Sequence, residues 1–116
     1  MIYHFVTEED LAQALTAAEY APKSLEKEGF IHCSRLDQVI AVANFLAPYD
    51  ESMYLFEIDE SKVNAKIKYE DAMNNRALYP HIYGPLNRDA IVNKYPLDWD
   101  GEEGYQLPET LRKISK

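Results

Sequence analysis

The opening residues IYHFV are a short run of strand-favouring, mostly apolar side chains, and the run stops at Thr7-Glu8-Glu9-Asp10. A threonine followed three positions later by an acid satisfies the free amide donors of a helix start. A strand over Ile2–Val6 and a helix over about Glu8–Ala18 are therefore predicted, with Leu11, Ala14, Leu15 and Ala18 as one buried stripe. Pro22–Glu28 reads as a short helical turn closed by Gly29, a residue that takes the left-handed conformation found just past helix ends. A second strand, Phe30–Ser34, comes next. From Leu36 the helical spacing returns, with Leu36, Val39, Ile40, Ala43 and Leu46 on one face and Pro48 as the stop.

The second half of the chain reads as strands. MYLFEI at 53–58 has strand composition, a turn follows, and AKIKYE at 65–70 alternates polar and apolar positions. YPHIYGPLN at 79–87 is predicted to be irregular at both prolines, because neither can donate to a sheet ladder. AIVNKY at 90–95 is the last predicted strand, and the tail from Pro96 either caps the fold or frays. Helices gathered early and strands late predict an α+β fold with two or three helices, and one domain over 1–116 whose tail from about 97 is peripheral.

Length and composition fit this reading: 116 residues, 47% hydrophobic, are enough for one domain with a real core. Twenty acidic residues against 12 basic ones give a net charge of −8, which repels polyanions and argues against long nucleic acid or anionic membrane as a partner. The run VIAVANFLA at 39–47 is far short of a membrane span. Four glycines, none in a GxGxxG or GxxxxGK arrangement, argue against a Rossmann or P-loop nucleotide site. The single cysteine, Cys33, cannot form an intrachain disulfide, and with no basic-then-apolar leader at the start a cytoplasmic location is expected.

Candidate chemistry centres on the three histidines, since His4, His32 and His81 all fall in strand-like strings, IYHF, GFIHCS and YPHIYGPLN. Alternation places His4 with Ile2 and Val6, and His32 with Phe30 and Ser34, so the two histidines can meet if their strands lie side by side. Cys33 falls on the other face and is expected to be a small core residue. No HxH, HxxxH or HExxH element is present, so no metal is expected. Tyr3, Tyr79 and Tyr83 are candidate walls of a shared pocket. Of the strand carboxylates, Glu57 is expected on a solvated face, while Glu70 is the acid suited to proton or cation work.

The strings IYH, SLEKEGFIHCS, LFEID, IKYE and YPHIYGPLNRDAIV, over roughly residues 1–95, together resemble the family called domain of unknown function 952. The resemblance implies a fold similar to the ADP-ribosyltransferases and RNA 2'-phosphotransferases, a split of two small, mainly antiparallel sheets. It also implies a pocket for NAD or another small nucleotide-like ligand. In that pattern His4 holds the ribose of NAD, His32 with Ser34 lines the nicotinamide pocket, and Glu70 is the nearest match to the third catalytic acid. The segment Tyr83–Asn87 rivals Glu70 for that place. Tyr3, Ser34, His81, Tyr83 and Asn87 are the implied ligand-binding residues, and His4, His32 and Glu70 the implied catalytic ones. Phe5-Val6 stands where the pattern has Gly-Thr, which departs from the close backbone approach that glycine allows. The alternative expectation is a non-catalytic module that binds a ligand or protein through the same histidine- and tyrosine-lined cleft.

Overall fold

Strand β1 (Ile2–Thr7) passes into helix α1 (Glu8–Thr16) at the predicted cap, where the Thr7 hydroxyl accepts a hydrogen bond from the Asp10 amide at 3.2 Å. The structure, a computed structural model, describes residues 1–46, 53–71, 74, 76–100, 104–106 and 111. The side chains of Leu15, Ala43 and Leu46, the predicted stop at Pro48 and most of the chain after 100 lie outside what is described. Helix α1 ends short of the predicted Ala18, which is exposed, because Glu19–Tyr20 leaves as a short strand β2 to pair with Leu86–Asn87, β7. Helix α2 (Lys23–Glu28) closes on Gly29 at φ 85°, whose amide donates back to the Leu25 carbonyl. Helix α3 (Val39–Leu46) follows a single 3₁₀ turn at Leu36–Gln38.

The remaining strands are β3 (Ile31–His32), β4 (Met53–Ile58), β5 (Lys66–Glu70), β6 (Tyr79–Tyr83), β8 (Ile91–Asp100) and β9 (Gly104–Gln106). They form a four-stranded sheet in the order β1-β4-β8-β9 and a three-stranded sheet in the order β3-β6-β5, with every pairing antiparallel. The two sheets meet where Tyr3 and Ser34 exchange backbone hydrogen bonds of 2.8 and 2.7 Å. The result is a small α+β fold of antiparallel sheets with few helices.

Two predictions about proline are corrected. Pro80 does not interrupt the sheet: it sits inside β6, the central strand, opposite Tyr69. Its carbonyl accepts from the Cys33 amide at 3.0 Å, and in an extended strand a residue's N and C=O point the same way. The missing N–H of Pro80 therefore faces the place where the chain after His32 leaves β6 to join Tyr3, and no interior rung is lost. Pro85 does break the ladder, after Gly84, whose φ of 155° suits glycine and whose added Cβ would lie 2.9 Å from that of Ala65. Likewise the last strand does not stop at Pro96: β8 carries on through it, pairing Pro96 with Tyr54 and burying Leu97.

Alternation along β1 and β4 feeds a core on each side of the larger sheet. Ile2, Val6, Phe56 and Ile58 pack with Ala14, Tyr20, Ile31 and Ile82, whereas Tyr3 and Leu55 pack with Val39, Leu97 and Leu111. Each fully buried Ile or Leu contributes about 1.5–3 kcal/mol of transfer free energy.

Candidate functional site

His4 lies on the Ile2 and Val6 face of β1, and only 7% of its surface is exposed. Its Nδ1 is 2.6 Å from the carbonyl oxygen of His32, and its Nε2 is 2.9 Å from the Tyr20 hydroxyl. A carbonyl can only accept, so Nδ1 carries the ring proton and bare Nε2 accepts from the tyrosine O–H. Burial pushes the His4 pKa down to about 4, and the ring is neutral at pH 7. Burial also raises the Tyr20 phenol well above its ordinary value. Where β1 meets the chain after β3, the His4 ring reaches the backbone carbonyl of His32 and not its ring.

The ring of His32 turns to a different set of neighbours. His32 and His81 are registered partners of β3 and β6, and His81 and Lys68 are partners of β6 and β5, so their side chains share one sheet face. The period of two adds Phe30, Tyr83 and Glu70 to that face. Phe30 stacks on His81 with centroids 4.1 Å apart and an angle of 20°. Its centroid is 4.8 Å from that of His32 and 5.3 Å from that of Tyr83. The two histidine rings meet edge to face at 5.4 Å. The Lys68 ammonium lies 4.9 Å from the Tyr83 centroid.

Glu70 anchors this arrangement. One of its carboxylate oxygens accepts from the Tyr83 hydroxyl and from His81 Nδ1, the latter at 2.9 Å. The Tyr83 hydrogen bond, then that of His81, hold the Glu70 carboxyl below its ordinary pKa, so it is ionised at neutral pH. The same bond raises the phenol of Tyr83. His81 is 2% exposed, but the Glu70 side chain is 39% exposed, so the cluster opens to solvent at its carboxylate. At the other end His32 Nε2 is 2.5 Å from the carboxylate of Glu28, with 39% and 50% of the two side chains exposed.

Of the eight residues singled out from sequence, His32, Glu70, His81 and Tyr83 come together, and His4 touches them through a carbonyl. The others lie elsewhere. Tyr3 points to the opposite face of β1, where its hydroxyl donates to Glu57 at 2.8 Å. Glu57 corrects an expectation: it is 7% exposed rather than solvated, and its other oxygen accepts from the Asn93 amide at 2.8 Å. Ser34 is buried at the junction of the sheets. Asn87 accepts from the Asn64 amide at 2.9 Å and donates to the Lys62 carbonyl at 2.8 Å and to Asp89. Those bonds pin the turn before β5. Tyr79 is buried, and Cys33 is in the core, with its thiol pKa raised by burial.

Sequence reasoning missed Phe30, Glu28 and Tyr20 as members of these clusters. Phe30 had a signal, two residues before His32 on one face, and Glu28 stands four before it. Tyr20 had none, because EYAP lies between the predicted helix and the helical turn. Among the described residues no group of three or more His, Cys, Asp or Glu is placed to hold a metal ion. No helix among them is long and apolar enough to cross a membrane.

The family described as a protein of unknown function, DUF952, matches residues 5–94. Among solved structures, the crystal structure of protein CC0527 from Caulobacter crescentus is similar at a TM-score of 0.82 and 23% identity, over 96% of this chain and 97% of that one. The solution NMR structure of CC0527 gives 0.77 and 22%, over 91% of each chain. At such identity the likeness is one of fold. No curated protein matches the chain.

Proposed function

The chain belongs to the DUF952 family, and from the face bearing Phe30, His32, Glu70, His81 and Tyr83 we infer a site for NAD or a related ribonucleotide. The observation that carries this reading is Glu70, an ionised carboxylate fixed by two ring donors and open to solvent beside stacked aromatic rings. The division into a four-stranded and a three-stranded sheet joined at Tyr3 and Ser34 supports the ADP-ribosyltransferase-like reading of the fold.

Transfer of ADP-ribose from NAD breaks the bond between the ribose carbon and the nicotinamide nitrogen, and positive charge develops on the ribose. A carboxylate already oriented by its neighbours stabilises that charge without reorganising. Glu70 takes this role, while His81 and Tyr83 orient it. Phe30 and His32 offer ring surface to the base or the nicotinamide. His4 acts indirectly, by fixing the His32 carbonyl. Tyr3, Ser34 and Asn87 hold the frame around the face.

One observation favours a second reading, of ligand binding without turnover. Both nitrogens of His4 are taken up inside the protein, so it has none left for a ribose hydroxyl. Proton NMR titration with NAD and with ADP-ribose, following the histidine rings, tests both readings. Saturable movement of the His32 and His81 signals, weakened in Glu70→Gln, is expected. Release of nicotinamide marks the transferase, binding without release marks the second reading, and rings unmoved by both ligands remove the nucleotide assignment.

A further inference from the structure

We propose, resting on the ribonucleotide reading above, that Lys68 is the specificity-determining residue of the Glu70 face and selects ligands whose ribose carries a phosphate. Alternation along β5 sets Lys66, Lys68 and Glu70 on one side of the sheet. The register places Lys66 opposite Tyr83 and Lys68 opposite His81. One row of side chains thus has a cationic end and an anionic end, and it runs beside the stacked rings.

Charge makes such a residue necessary. Glu70 is ionised at neutral pH in a chain of net charge −8. The carboxylate that steadies positive charge on a ribose also repels a phosphate attached to that ribose. A cation farther along the same row separates the two demands. Two strand residues span about 7 Å, so the ribose lies at Glu70 with its phosphate toward Lys68, and the direction of the ligand along β5 is fixed.

The resting place of Lys68 fits this role. Its side chain is exposed, and its ammonium lies 4.9 Å from the centroid of Tyr83, the ring whose hydroxyl donates to Glu70. A cation over an exposed ring is held more weakly than one against a phosphate oxygen. The ammonium therefore leaves the ring for an arriving phosphate without disturbing the Tyr83 bond that orients the carboxylate.

Proton NMR titration of the intact chain with nicotinamide riboside and with nicotinamide mononucleotide, which differ by the phosphate alone, tests the proposal. Saturable movement of the His32 and His81 rings is expected with both. The Kd of the mononucleotide is expected to be about tenfold lower, the worth of one charge-assisted contact. High salt narrows that gap. Because Lys68 is exposed on the outer strand of its sheet, its variants are expected to fold. Lys68→Met brings the mononucleotide to the affinity of the riboside, and Lys68→Arg keeps it tighter. Equal affinity for the two ligands in the parent chain, or a gap that survives in Lys68→Met, would overturn the role of Lys68 and leave the ribonucleotide site standing. Rings unmoved by either ligand would remove the site, and the role of Lys68 with it.

Discussion

His4 and His81 are buried to similar depth, at 7% and 2% exposed, yet they serve opposite ends. His4 is closed off between a carbonyl and a phenol, both neutral partners. His81 donates to a carboxylate that reaches solvent and stacks on a half-buried ring. The partner, more than the depth, decides which histidine works as a structural pin and which belongs to a surface that can meet a ligand. Substitutions that separate the two regions put this contrast to the test.

The largest effect is expected in the closed region. His4→Ala removes a core ring and strands the Tyr20 hydroxyl, which is expected to cost about 3 kcal/mol in urea unfolding. Tyr20→Phe leaves Nε2 without its donor and is expected to cost about 1–2 kcal/mol. Equal losses for His32→Ala and His4→Ala would erase the distinction between the regions.

Acid sharpens the same contrast. An unfolded histidine takes up its proton near pH 6.5, whereas His4 in the fold does so only near pH 4. Between those values the unfolded chain holds more protons, so stability is full above pH 6.5 and falls as the pH drops toward 4, by about 3 kcal/mol for this group. In His4→Gln the unfolding free energy is expected to lose that slope across the window. Glu70 acts in a lower range, since its depressed carboxyl supports the fold above its unfolded pKa and ceases to as the pH falls through the folded one.

Glu70→Gln is expected to change geometry more than stability. The carboxylate is partly solvated, so its loss leaves the melting temperature close to that of the parent chain. The Tyr83 and His81 ring signals move, because both donors lose their charged acceptor. A large drop in melting temperature with unmoved rings would make Glu70 a structural pin like His4.

Much of this was legible from period and caps. The Thr7 cap, the Gly29 stop and the same-face alternation of Phe30 with His32 are local rules, and they hold. Long-range pairing was not legible. Nothing local says that Pro80 lies in a central strand, because the harmlessness of its missing N–H depends on β3 leaving at that rung. Nor does anything local say that Glu57 is buried, because its partners Tyr3 and Asn93 come from two other strands. The candidate site was half legible for the same reason. Strand register joined His32 to His81, Tyr83 and Glu70, while Tyr20 reached His4 through a two-residue strand that no pattern announces.

The smallest effect is expected at Glu28. Its carboxylate meets His32 at 2.5 Å, the shorter of the two histidine–carboxylate contacts among the described residues, so distance alone would rank it first. Exposure reverses that ranking, since both side chains are more than a third in water, where a contact to a carboxylate is screened and ordering two side chains offsets its gain. Glu28→Gln is expected to change unfolding free energy by about 0.5 kcal/mol or less, and less still at high salt. The His32 ring stays in place because Phe30 and His81 flank it and β3 is paired with β6 beneath it. Urea unfolding at low and high salt measures the difference. A loss comparable to that of His4→Ala would mean that contacts to carboxylates, rather than strand register, hold the open cluster together.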